Sequence, residues 1–297
     1  MQIDILFIAH VLNGLLMIIM PIVLGIYLTR RFNLGWRLWF IGAAGFIISQ
    51  VFHIPFNNLL TSLYQNGTIP RPPSEYRLIV NAIVLGLSAG IFEEVTRYLV
   101  MRFWARDARS WRKGVMLGAG HGGAEAILLG GLVFYGFIQM VAYRNVDLSK
   151  LFPADQLALA QQQIATYWSA SWYDSLLGAL ERFFTIPVQI CFGVMVIQVF
   201  TRKQIHWLGL AILWHAIIDA LAVYLSGALS SFTWGVYAIE GALGLISLIS
   251  VGIIFILRQP EPLQPEPVPS TPVEPVILTP VELKETPENL DESRFNR

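Results

Sequence analysis

Seven stretches of this chain stay apolar for twenty residues or more, and that pattern leaves it one solvent. A helix needs roughly 20 mostly apolar residues to cross a hydrocarbon core about 30 Å thick. The stretches run near Ile5–Leu28, Trp36–Leu60, Arg77–Met101, Gly114–Tyr143, Ser175–Phe200, Ile205–Ser226 and Thr233–Leu257. Lipid offers backbone amides no other partner, and no stretch alternates as a barrel strand does, so each is expected to be a helix. The expected fold class is all-α, a polytopic transmembrane helical bundle of about seven spans occupying residues 1–258. Composition agrees, because only 13% of residues are charged, about half the share of a soluble domain. The localisation this implies is multi-pass in a cell membrane, with membrane lipids as partners. A formal net charge of zero gives no sign of a nucleic-acid partner.

Basic residues choose the orientation. Arg30, Arg31 and Arg37 lie between spans one and two, and Arg102, Arg106, Arg109, Arg112 and Lys113 between three and four. Arg202 and Lys203 separate five and six, and Arg258 follows seven. Every second loop is therefore basic, which predicts an N-terminus outside and a C-terminus in the cytosol. The N-terminus lacks a positive n-region and its apolar stretch exceeds h-region length, so it reads as a retained first span. The long loop Asp147–Asp174 has a helical stretch from Pro153, and its Tyr167, Trp168, Trp172 and Tyr173 suit an interfacial belt. Residues 259–297 are Pro-rich and then acidic, which predicts a disordered cytosolic tail. Cys191 is the chain's one cysteine and lies in an apolar run, so it excludes a disulfide or a cysteine-built metal site within one chain.

Against this apolar background a few ionisable residues stand out, since a charge inside a span costs a few kcal/mol and persists where it pairs or works. Span three carries Glu93-Glu94-x-x-Arg97, and span four carries His121-Gly-Gly-x-Glu125. Span five begins with Glu181-Arg182, and span six carries His215-x-x-x-Asp219. At 1.5 Å of rise per residue, Glu93 and Glu94 lie about 12–14 Å from the basic rim. His121 lies at about 12 Å, and Glu125 and His215 at about 18 Å. Three helices thus bring carboxylates and imidazoles to one layer in the same half of the membrane. His121 and Glu125 are one turn apart, as are His215 and Asp219, and a carboxylate one turn from a histidine can fix its tautomer and raise its basicity. Gly118, Gly120, Gly122 and Gly123 around His121 admit a close neighbour and weaken the helix locally, which would let in water or a distorted turn.

Structural roles compete for several of these residues. Arg97 neutralises Glu93 or Glu94, and Glu181-Arg182 suits an ion pair near the outer rim, with Asp219 as a candidate partner. Glu240 stands alone in span seven and is expected to face a polar seam. His10, His53, Asn13, Asn57 and Asn58 are expected to hydrogen-bond between helices.

The succession EExxR, HGGxEA, a Glu-Arg pair and HxxxD on consecutive spans resembles the YhfC family of membrane peptidases. That family is similar to the prenyl-protein (CAAX-type) and bacteriocin-processing superfamily of glutamate-dependent intramembrane proteases. The resemblance covers spans three to six. It implies an intramembrane endopeptidase in which Glu93, with Glu94 beside it, and His121 activate water without a tightly bound metal or other cofactor. It further implies that His215 and Asp219 hold the developing oxyanion, with Arg97, Glu125, Glu181 and Arg182 in support. The substrate would be a membrane-associated peptide or protein. The residues by themselves leave two other readings open. The same cluster could bind zinc in an open three-ligand site, although no HExxH is present. Buried carboxylates and histidines also mark proton-coupled transporters, against which stands the lack of an internal repeat.

Overall fold

The first helix begins where Asp4 accepts a hydrogen bond from the Phe7 amide at 2.8 Å. It ends at Asn33, whose left-handed backbone (φ 54°) turns its amide back to the Arg30 and Thr29 carbonyls. The computed structural model describes residues 4–144 and 146–260. Among the described residues there are eight α-helices. They are α1 (Ile5–Phe32), α2 (Arg37–Gln65), α3 (Arg77–Leu99), α4 (Trp111–Tyr143), α5 (Ala154–Ser169), α6 (Leu177–Thr201), α7 (His206–Ala228) and α8 (Gly235–Ile256). All but α5 are long and apolar enough to cross a membrane, so the protein is an all-α, multi-pass membrane protein of seven spans. The tail expected over residues 259–297 lies, past Pro260, outside the described residues.

Helices in lipid gain little from excluding water from one another, and close backbone approach through small residues takes its place. Two such seams organise the bundle. On α3, a Cβ added at Gly90 would stand 2.6 Å from the Ile212 carbonyl, and one at Gly86 would stand 2.6 Å from the Ala220 amide, so α3 lies directly along α7. On α4, a Cβ at Gly118 would come within 2.6 Å of the Ile190 Cα on α6, and one at Gly120 would overlap the Trp39 carbonyl on α2. The α4 backbone is thus wedged between α2 and α6. The sequence suggested that these glycines loosen the helix, and the structure corrects this: α4 is continuous from Trp111 to Tyr143. Tight neighbours on both sides hold the glycines helical. α6 is the most enclosed of the seven spans.

At one end of the bundle the basic loops meet. Arg37 bonds both oxygens of Asp107 at 2.9–3.0 Å, and this guanidinium holds the Asp107 carboxyl below the usual carboxylate range. α3 runs on into a π-helical turn, Val100–Trp104. Arg109 closes that turn by donating to the carbonyls of Met101, Ala105 and Ala108, with its guanidinium 4.2 Å from the Phe200 ring centre. Arg258 stands over Trp111 at 5.4 Å. α5 lies at the opposite end. There Trp168 donates to the Met140 carbonyl at 3.3 Å and Tyr167 stacks on His10 at 4.3 Å.

Candidate functional site

Glu93 and Glu94 are neighbours on α3 and so point about 100° apart, each towards a different partner. Glu94 is fully buried. Its Oε2 accepts from Arg97 Nε at 3.0 Å, and its Oε1 lies 2.9 Å from Nδ1 of His215 on α7. A carboxylate paired with a guanidinium accepts, so this contact fixes the Nδ1–H form of His215 and turns Nε2 the other way. Glu93 faces that other side. Its Oε1 accepts from Gln50 of α2 at 3.0 Å, and its Oε2 lies 3.0 Å from Nε2 of His121 on α4. Nε2 of His215 stands 3.8 Å from this same Oε2 and 3.5 Å from Oδ2 of Asp219. At 3.8 Å the two groups are not bonded to each other, so Glu93 Oε2, held by His121, and Nε2 of His215, beside Asp219, face one another across a gap.

The rings are held by packing as well. His215 stacks on Phe192 at 4.3 Å with an interplanar angle of 4°, and His121 meets the edge of Phe46 at 5.3 Å. His121 and His215 are 1% and 2% exposed and Glu93 is 7% exposed, whereas the Asp219 side chain is 41% exposed. The cluster is therefore shielded on most sides and reaches the surface at Asp219.

Five of the expected residues, Glu93, Glu94, His121, His215 and Asp219, come together here, with Arg97 beside Glu94. Glu125 does not orient His121 as the one-turn spacing suggested. Its Oε1 accepts from Arg182 of α6 at 2.6 Å, because a guanidinium is a stronger partner than an imidazole already engaged by Glu93. Arg182 also bonds Glu181. The Glu-Arg pair of α6 thus takes Glu125, and not Asp219, as its further partner. His53 and Asn57 do bond across helices, both to Ser88, and Asn13 accepts from the Ala179 amide at 2.7 Å. His10 reaches Ser175 at 3.4 Å, while Asn58 is exposed.

Two residues of the site carry no charge and were not singled out in the sequence. Gln50 fixes one oxygen of Glu93. Gln189 of α6 accepts from Arg97 at 2.7 Å, and its amide lies 3.1 Å from Glu125 and 3.4 Å from Glu93. It therefore joins the Glu93–His121 side of the cluster to the Arg97–Glu94 side and to Glu125. The α4 glycines make room for it, since a Cβ at Gly122 would stand 2.7 Å from the Gln189 Cβ. The one signal in the sequence is a glutamine inside an apolar run, facing the glycine face of a neighbouring span.

The donors form an open chain, His121 to Glu93 to His215 to Asp219. Among the described residues, no group of three or more His, Cys, Asp or Glu side chains is arranged to hold a metal ion. Zinc takes three or four donors at about 2.0–2.3 Å around one point. Here Nε2 of His121 is already bonded to Glu93 Oε2 at 3.0 Å while Nε2 of His215 lies 3.8 Å from that same oxygen, so the side chains do not surround one point as zinc ligands do, and this arrangement does not fit the ion.

The model of a family described as YhfC intramembrane metalloprotease matches residues 16–239. The chain is also similar to the uncharacterized membrane protein YhfC of Bacillus subtilis (strain 168). The two are 30% identical over 257 residues, which cover 81% of this chain and 92% of that protein. No solved structure matches.

Proposed function

Because this chain belongs to the YhfC intramembrane metalloprotease family, we propose that it is an intramembrane endopeptidase in which Glu93 and His121 activate water and His215 with Asp219 receives the oxyanion. Its substrate is a membrane-associated peptide or protein. Residues 1–258 form the catalytic domain, with the basic end in the cytosol and the N-terminus outside. The observation that carries the reading is one carboxylate oxygen, Glu93 Oε2, flanked by Nε2 of His121 at 3.0 Å and Nε2 of His215 at 3.8 Å. These groups come from three helices and are buried together.

The chemistry follows from the roles these atoms can take. Glu93 accepts a proton from water while its other oxygen stays on Gln50, so the carboxylate cannot swing away. His121 shares that water, and the hydroxide attacks the carbonyl carbon. Negative charge then builds on the carbonyl oxygen. As an imidazolium, His215 keeps Nδ1–H on Glu94 and offers Nε2–H to that oxygen, while Asp219 and Glu94 offset the charge on the ring. The C–N bond breaks as the proton held by Glu93 passes to the leaving amine, and the products are a carboxylate and an amine. The family's description implies a metal, but the donors do not fit one, and no step here runs through it.

The test compares membranes from cells producing the wild type, Glu93→Gln, His121→Ala or His215→Ala, using mass spectrometry of protein N-termini. New N-termini should appear with the wild type alone. Loss of the base should cost about 10²–10⁴-fold in rate, and loss of an oxyanion donor about 10²–10³-fold. Identical N-termini in all four samples would reject the proposal. Cleavage that stops on chelation and returns with zinc would replace the carboxylate route with a metal-dependent one.

A further inference from the structure

Gln189 of α6 is 7% exposed, and its amide meets three charged residues at once, Glu93, Arg97 and Glu125. An amide has an acceptor end and a donor end, and its neighbours decide which way it faces. Arg97 offers donors alone, so Oε1 of Gln189 must turn to it, and it accepts from Nη2 at 2.7 Å. The Nε2 end is thereby turned to two carboxylates, 3.1 Å from Glu125 Oε2 and 3.4 Å from Glu93 Oε2. Glu125 is itself fixed, because Arg182 holds its other oxygen at 2.6 Å. The α6 backbone has no slack here either, since a Cβ at Gly118 would stand 2.7 Å from the Gln189 carbonyl oxygen. Glu93 and Arg97 stand one turn apart on α3, a spacing at which an acid and an arginine can pair directly. Arg97 pairs with Glu94 instead, and Gln189 is what links it to Glu93.

Resting on the assignment of Glu93 as the base, we propose that Gln189 is a positioning residue for cleavage: bound to Arg97 and Glu125, it turns an N–H to Glu93 Oε2 and holds that oxygen beside His121. Gln50 holds the other oxygen, so two glutamines, from α2 and α6, fix both ends of one carboxylate. A small misplacement of a reacting group is costly in rate, which is what such a clamp prevents. Arg97 then acts on the base through the amide, whose orientation it sets, and not through an ion pair that would occupy the oxygen water needs.

The test uses full-length protein in phosphatidylcholine nanodiscs and a synthetic peptide spanning a bond that wild-type membranes cleave. Gln189→Glu keeps an oxygen for Arg97 but has no N–H for Glu93, and Gln189→Leu keeps neither. Both should lower kcat about tenfold or more and leave KM within about threefold, as when a group that orients the base is lost. Thermal unfolding reports that each variant is folded. If Gln189 merely braced Arg97, Gln189→Glu would keep the wild-type kcat while Gln189→Leu lost it, and that result overturns the proposal. A rise in KM at unchanged kcat overturns it too, since that change belongs to substrate binding, as do wild-type kinetics in both variants. Failure of the underlying reading has its own signature: Glu93→Gln cleaves as fast as the wild type, or the wild type yields no cleaved bond, and the role of Gln189 falls with it.

Discussion

Glu93 and Glu94 are identical in chemistry and adjacent in sequence, yet their surroundings give them opposite tasks. Glu94 is fully buried against Arg97, so its substitution removes the paired charge from a guanidinium that is itself 4% exposed and leaves it the neutral Gln189 acceptor. Breaking a buried ion pair by removing one partner costs about 3–5 kcal/mol. Glu94→Gln should therefore lower the thermal midpoint in detergent by many degrees. Glu93→Gln keeps the Gln50 contact through its remaining oxygen and should unfold close to the wild type while losing cleavage. A Glu94→Gln protein as stable as the wild type, or a Glu93→Gln protein that still cleaves, would reverse these assignments. The sequence alone did not separate the two acids. Periodicity says that they point in different directions, but it does not say which direction meets histidine and which meets arginine. It made the ionisable members of the cluster legible because each is expensive in lipid, and left Gln50 and Gln189 out because a neutral amide is cheap enough to pass unnoticed. It also misassigned Glu125, since one-turn spacing reports a shared helix face and not the stronger partner that a neighbouring helix brings to it.

Among the helices, α4 shows how glycine spacing fixes distance. Gly118 and Gly131 lie on the same helix, but a Cβ at Gly118 would stand 2.6 Å from the Ile190 Cα, whereas at Gly131 nothing lies within 4 Å. Ile190 Cα is backbone and cannot step aside as a flexible side chain could. Gly118→Ala must push α6 away from α4 and carry Gln189 with it. Overpacking of this kind costs about 1–3 kcal/mol. Gly131→Ala adds a methyl in open space and gains up to about 1 kcal/mol of helix propensity. Thermal unfolding of the two variants should therefore move in opposite directions, and Gly118→Ala should also slow cleavage by displacing Gln189. Equal midpoints would mean that the α4–α6 contact is looser than these distances require. The positions of the spans were readable from hydropathy, because a membrane helix must be long and apolar whatever it packs against. The α4–α6 seam was not, since the same glycines equally suit a weakened helix until the backbone facing them is known.

For the molecule as a whole, charge decides which way the bundle faces. Eleven basic residues, from Arg30 in the first loop to Arg258 after α8, belong to the end where Arg37 meets Asp107 and Arg258 meets Trp111. The opposite end carries four, Arg71, Arg77, Arg144 and Lys150. Lys and Arg near span ends are retained in the cytosol, so the basic end is expected inside and α5 outside. This matters for the chemistry, because Glu93 lies nine residues before Arg102, closer to the basic end than to the other end of its span, and a substrate would approach from the cytosolic leaflet. Cys191 is the chain's one cysteine and is buried, which gives a low background for introduced thiols. Gln163 on α5 and Arg106 in the α3–α4 loop are both exposed. A membrane-impermeant maleimide should label Gln163→Cys in intact cells and Arg106→Cys after permeabilisation alone. The reverse pattern would invert the orientation and move the site to the outer leaflet. Labelling of both in intact cells would mean that the two loops share one side of the membrane, which an odd number of spans between them, α4 alone, does not allow.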